Sequence, residues 1–233
     1  MDSQKITLFS MKKKLVVFDL DGTLLYTLPD IRRAVNYALS AYEIPLISME
    51  EAREIVGRGL RNALIAAVNK SGKMIEDNDF SLMNELMVSS YMKHPSDNTV
   101  PYDGIPELLS FLTSNGVMVA IASNKKDEIV QKIVKNILPS VRFAFVLGQT
   151  SVYPLKPDPE GILSETGKLG VTTNDIVYVG DSEVDYETAS NLGCDSVIVS
   201  YGYRTAEELK EKGIDNTATT TKELGERLRT LCL

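Results

Sequence analysis

KKKLVVFDLDGTLLYTLPD, residues 12–30, decides how this chain is read. Leu15 to Phe18 form an unbroken apolar run, the pattern of a strand buried on both faces. The run meets Asp19 and, two residues on, Asp21. Extended backbone would put both side chains on the same side, about 7 Å apart. Gly22 then lets the chain turn away, and the Thr23 hydroxyl can fix that turn through a local hydrogen bond. A buried carboxylate costs several kcal/mol unless something compensates it. The rest of the chain must therefore bring positive charge to these acids.

Outward from this stretch, strand and helix patterns alternate. Apolar runs recur at Val117–Ala122, Phe143–Leu147, Ile176–Val179 and Ser196–Val199. Helical periodicity fills the gaps at Ile105–Leu112, Glu128–Ile137, Pro159–Leu169 and Val184–Leu192. Such alternation predicts an α/β fold, a doubly wound parallel-sheet, Rossmann-like core with right-handed crossovers. One segment breaks the rhythm. From Tyr26 to His94 only helical periodicity is seen, over about 70 residues, too long for an ordinary loop. It ends in HPSDNTVPYDG, residues 94–104, which reads as a return linker. The expected organisation is a core of residues 11–25 and 98–233, a helical cap of residues 26–97, and an N-terminal extension of residues 1–10. Met11 is a second candidate start.

The 233 residues carry a net charge of −7, which argues against nucleic acid as a partner. A small phosphorylated metabolite remains compatible, because one local positive site can hold it. No segment reaches the ~20 apolar residues that span a bilayer. The apolar run at Leu15 stops too early for a secretory leader. Cys194 and Cys232 have no CxxC or Cys/His context, so a zinc or redox site is unsupported. Cys194 reads as a small apolar residue and Cys232 as a tail residue. The expected location is cytoplasmic, as a monomer or homodimer.

In open α/β sheets, ligands bind beyond the carboxyl ends of the strands. Polar groups stand at those ends here. Ser123-Asn124-Lys125 follows the second core strand, and its hydroxyl and backbone N–H groups at a strand-to-helix turn would suit an anion. Ser123 can also cap the next helix. Lys156 lies in KPDP, and Gly180-Asp181-Ser182-Glu183-Val184-Asp185 follows the strand at Ile176. Asp19, Asp21, Asp181 and Asp185 would repel one another without a cation. An all-oxygen donor set favours Mg²⁺ over zinc.

With FDLDGTLL, IASNK, KPDP and VGDSEVD in order, the chain resembles haloacid-dehalogenase-superfamily phosphatases with a helical cap. The resemblance covers residues 11–233. Within that superfamily it is most similar to the phosphoglycolate phosphatases, through LPD, GRGL, YVGDSEVD and YGYR. It implies that Asp19 is a nucleophile forming an aspartyl-phosphate, and that Asp21 serves as acid and then base. Mg²⁺ would sit on the Asp19 carboxylate, the Asp21 backbone carbonyl and Asp181. Asp185 would orient Lys156 and support the metal's waters. Ser123 and the Asn124 backbone would bind phosphoryl oxygens. Lys156 would neutralise charge between Asp19 and the phosphate. The acid at Asp21 favours phosphoryl transfer over carbon–halogen cleavage.

The implied reaction is hydrolysis of a small phosphate monoester, with 2-phosphoglycolate foremost. Inorganic pyrophosphatase, sugar-phosphate phosphatase or phosphoglucomutase activity, and an inactive phospho-binding regulator, are the alternatives. Relatives that act as mutases often carry Glu-Asp-Ser where Gly180-Asp181-Ser182 stands. Many relatives have Asp-Ser where this chain has Tyr26-Thr27, at the hinge into the cap. Arg58, in GRGL, is the candidate to reach a substrate carboxylate; Arg61 competes with it. His94 reads as a surface residue, Met83, Met87 and Met92 as cap packing, and Glu207 to Glu211 as a solvated helix.

Overall fold

The computed structural model describes residues 12–233. The expected extension and the candidate start at Met11 lie outside the described residues. Leu15–Phe18 (β1) is fully buried. Val16 and Phe18 enter one apolar cluster while Leu15 and Val17 enter another, so both faces of the strand are covered. Leu25–Tyr26 (β2) follows a tight turn. Leu28–Ser40 (α1), Met49–Ile55 (α2), Leu60–Lys70 (α3) and Asp77–Lys93 (α4) come next, before Val100–Pro101 (β3). The core resumes with Ile105–Ser114 (α5), Met118–Lys126 (β4), Asp127–Ile137 (α6), Val146–Gln149 (β5) and Glu160–Lys168 (α7). Ile176–Gly180 (β6), Glu183–Leu192 (α8), Asp195–Val199 (β7), Ala206–Glu211 (α9), Thr217–Ala218 (β8) and Thr221–Cys232 (α10) complete it.

The main sheet has the order β5-β4-β1-β6-β7-β8, and every neighbouring pair is parallel. β1 sits centrally, with Val17 beside Ala120 of β4 and Tyr178 of β6. The strand order reverses around β1, which places the ligand crevice at its carboxyl end. Asp19 is pinned there, its N–H donating to the Val179 carbonyl at 2.8 Å.

Helices α1 to α4 pack on one another in the segment expected to be helical. Pro29 starts α1, where a missing N–H costs nothing. Ser48 and Glu51 cap α2 reciprocally. Met83 and Met87 are fully buried in α4. One apolar cluster runs from Val16 and Phe18 of the sheet into Val35, Leu64 and Met87 of these helices, so the insertion is packed onto the core.

Some expectations need correction. β4 continues to Lys126 instead of stopping at Ala122, with a register shift between those residues. Ser123 therefore caps no helix; α6 begins after Lys126. β5 lies at Val146–Gln149 instead of Phe143–Leu147, because the extended β4 carries its pairing on to Gln149. The return linker contains β3, which pairs antiparallel with β2. Thr23 does not fix its turn: its hydroxyl is buried without a hydrogen-bond partner among the described residues. Backbone bonds hold that turn instead, from Gly22 to the Leu25 carbonyl and from Leu24 and Leu25 to that of Leu20. Cys232 is no tail residue; with Leu224 and Leu228 it buries one face of α10 against the core.

Candidate active site

The strand ends converge as the doubly wound topology requires. Lys156 Nζ donates to Asp19 Oδ1 at 2.7 Å, to Asp185 Oδ1 at 2.8 Å and to the Tyr178 hydroxyl at 3.0 Å. Burial alone would pull the Lys156 ammonium down, but Asp185 and Asp19 outweigh it and hold it well above the ordinary lysine value. Burial pushes Asp19 up to about 7 against the pull of Lys156, with Asp185 and Asp21 adding repulsion. Asp185 opens α8, where its Oδ2 accepts from the Ser182 hydroxyl and N–H at 2.7 and 3.2 Å. One carboxylate thus caps a helix and orients the lysine.

Asp19, Asp181 and Asp185 are buried, and one carboxylate oxygen from each lies within 4.8 Å of the others. Asp181 has no ion-pair partner within 4.0 Å among the described residues. Its Oδ2 accepts from the Tyr203 N–H at 2.6 Å. Burial, then the charges of Asp185 and Asp19, hold it well above the ordinary range. A buried acid without a counter-ion, in an all-oxygen set, fits a hard divalent cation. The backbone is shaped to the cluster. Gly22 adopts φ +86°, and a Cβ there would lie 2.2 Å from Asp181 Oδ2. A Cβ at Gly180 would lie 2.2 Å from Asp185 Cγ, so no side chain fits.

Ser123 and Asn124 of β4 face the same crevice. The Asn124 side chain closes a two-way bridge to Lys156, accepting from its N–H at 2.8 Å and donating to its carbonyl at 3.0 Å. That positioning role belongs to the side chain and leaves the Asn124 backbone uninvolved. Asp19, Asp21, Ser123, Asn124 and Lys125 line one cavity whose other wall is Ile31, Val56, Gly57, Gly59, Leu60 and Ala63. The insertion therefore sits over the acids.

The structure brings together Asp19, Asp21, Ser123, Asn124, Lys156, Asp181 and Asp185. It does not bring Arg58 to them. That side chain is 70% exposed and paired with Glu183 at 3.2 Å, while its glycine neighbours line the cavity. Arg61 stacks over Phe80. His94 is exposed beside Asp97.

Sequence reasoning missed Lys125, Tyr91 and Tyr203. Lys125 Nζ donates to Asp21 Oδ1 and to the Tyr91 hydroxyl. β4 is irregular between Ala122 and Lys126, so Ser123, Asn124 and Lys125 all line the cavity, which simple alternation along a strand does not foretell. Tyr203, from YGYR, meets the Thr27 hydroxyl at 2.8 Å and anchors Asp181 through its N–H. Tyr26 meets Tyr102 and Tyr203 edge-on, and Tyr102 packs tilted on Tyr201, around the β2–β3 pair.

The model of the haloacid dehalogenase-like hydrolase family matches residues 16–199. A phosphoglycolate phosphatase of Mannheimia succiniciproducens is 33% identical over 194 residues, 82% of this chain and 87% of that protein. An N-acetylmuramic acid 6-phosphate phosphatase of Pseudomonas aeruginosa is 29% identical, covering 83% of this chain and 84% of the other. A solved structure from Lactobacillus delbrueckii subsp. bulgaricus, carrying a provisional phosphoglycolate phosphatase name, superposes with a TM-score of 0.87. It is 30% identical, over 94% of this chain and 99% of that one. By motif order, strand-end geometry and family match together, the chain belongs to the haloacid dehalogenase-like hydrolases.

Proposed function

We propose that this hydrolase cleaves small phosphate monoesters through an aspartyl-phosphate on Asp19, with 2-phosphoglycolate as the foremost substrate. The observation that carries the reading is the Lys156 ammonium bridging Asp19 and Asp185. The bridge leaves Asp19 Oδ2 free among the described residues for attack on phosphorus. Ser123 and the Asn124 N–H receive phosphoryl oxygens. Asp21 protonates the leaving oxygen, then takes a proton from the water that cleaves the acyl-phosphate. Asp19, Asp181 and the Asp21 carbonyl would hold Mg²⁺, which would supply positive charge to the anionic ester.

The substrate assignment rests on the names of relatives near 30% identity. Arg58 would have to leave Glu183 to meet a substrate carboxylate. Lys125 is the basic side chain already lining the cavity. A glutamate at position 180, as mutases of the family carry, has no room beside Asp185.

Phosphate release with Mg²⁺ from 2-phosphoglycolate, pyrophosphate, sugar phosphates and p-nitrophenyl phosphate tests this reading. Fastest release from 2-phosphoglycolate, abolished by Asp19→Asn and by chelator, is expected. Fastest release from another ester would remove the substrate and keep the chemistry. No release from any would remove the catalytic reading for this panel.

A further inference from the structure

Lys125 is a buried cation that the chemistry above does not use. It lies on β4, 3% exposed, next to Ser123 and Asn124, which line the same cavity. Its Nζ donates to Asp21 Oδ1 at 2.5 Å and to the Tyr91 hydroxyl at 2.7 Å, and lies 4.9 Å from the Tyr91 ring centre. Tyr91 belongs to α4 of the insertion, is fully buried, and its hydroxyl has no other partner among the described residues. Thr27, at the hinge, donates to the same Asp21 oxygen and is itself held by Tyr203. Both contacts converge on Oδ1. Among the described residues Oδ2 takes no hydrogen bond, and Asp21 lines the cavity. The carboxylate is gripped on one oxygen and left available on the other.

We propose that Lys125, itself held by Tyr91, is a positioning residue that fixes the Asp21 carboxylate so that Oδ2 exchanges protons with the leaving group. The proposal rests on the assignment of Asp21 as acid and base. A lysine bound only to phosphate would not need a buried tyrosine from the insertion behind it. A lysine kept only for stability would not need to meet the one acid that faces the leaving oxygen.

The two roles separate by leaving group. A p-nitrophenolate departs as a stable anion and needs little help from an acid. An alkoxide leaves only with a proton. We would measure kcat and KM, with Mg²⁺, on p-nitrophenyl phosphate and on whichever of 2-phosphoglycolate or glycerol 2-phosphate turns over faster. The proteins are wild type, Lys125→Met, Tyr91→Phe and Asp19→Asn. Lys125→Met should lower kcat/KM on the alkyl ester about 10- to 100-fold and change it less than about 3-fold on the nitrophenyl ester. Its kcat should fall on both, because hydrolysis of the acyl-phosphate still draws on Asp21 as base. Tyr91→Phe removes one hydroxyl and should show the same selectivity at about 3- to 10-fold; it decides the matter if Lys125→Met does not fold.

Equal loss of kcat/KM on both esters would overturn the proposal and make Lys125 a phosphate ligand or a structural residue. No loss in either variant would overturn it as well. Full activity in Asp19→Asn, or none in wild type, would overturn the phosphatase reading itself. That failure is visible without any Lys125 or Tyr91 variant.

Discussion

At the scale of single residues, the question raised by two acids after a buried strand has a local answer. Asp19 is balanced by Lys156, and Asp21 by Lys125 and the Thr27 hydroxyl. Asp181 has no such cation, so the balance is incomplete without one. The pH dependence follows from Asp19, moved from 3.8 to about 7 by burial, with its neighbour Asp181 raised in the same direction. Without metal, the folded chain binds this proton more tightly than the unfolded chain. Its stabilising contribution is fully present below the unfolded value and is lost as pH rises through about 7. Above that, the folded state bears the cost of a buried, ionised Asp19, which a cation relieves. Added Mg²⁺ should therefore raise Tm little near pH 5 and by several degrees near pH 8, where about 1 kcal/mol corresponds to 2–4 °C. Asp181→Asn should abolish the rise. Thermal melts across pH would show it; a rise of equal size at both pH values would refute this reading of Asp19. Asp19, Asp21 and Asp181 were legible because they follow the apolar runs of β1 and β6, and Lys156, Ser123 and Asp185 because they stand in the KPDP, IASNK and VGDSEVD motifs. The neutral hydroxyls that tie them together, on Tyr178, Tyr91 and Tyr203, carry no such signal.

At the scale of elements, the hinge explains what LPD is for. Asp30 opens α1, is fully buried, and accepts from the Asn98 N–H at 2.9 Å, the Asn98 side chain at 3.1 Å and the Thr99 hydroxyl at 2.8 Å. It ties the outgoing linker to the returning one, beside the β2–β3 pair. Asp30→Ala would leave the buried Thr99 hydroxyl unpaired and turn the exposed Asn98 donors to solvent, at a cost of about 1–3 kcal/mol. Denaturant unfolding should show that loss. A loss below about 0.5 kcal/mol would mean that the linkers are held elsewhere. These two-residue strands were illegible because a pairing so short leaves no alternation to read. The C-terminal helix was legible in principle. Leu224, Leu228 and Cys232 recur every fourth residue behind Thr220, whose hydroxyl accepts from the Glu223 N–H. The solvated lysines and glutamates between them obscured the stripe.

At the scale of the whole molecule, the insertion is held down by polar bonds as well as by the shared apolar core. Arg53 of α2 donates to the Tyr203 carbonyl and to Glu208, and Arg204 donates to the Arg53 and Val56 carbonyls. YGYR is thus the point where Asp181, the β2–β3 pair and the insertion meet. The insertion supplies one wall of the cavity over the acids, through Ile31, Val56, Leu60 and Ala63. The doubly wound sheet and the helical insertion were readable from periodicity alone. The facing of the insertion was not, since Arg58 turns out toward Glu183 and glycine backbone faces in. The central claim is that Asp19 takes the phosphoryl group. Acid-quenched single turnovers followed by mass spectrometry of the peptides test it most directly. A phosphoryl group on Asp19 in the wild type, accumulating in Asp21→Asn and absent from Asp19→Asn, is the predicted result. A phosphoryl group on any other residue, or undiminished turnover by Asp19→Asn, would contradict it.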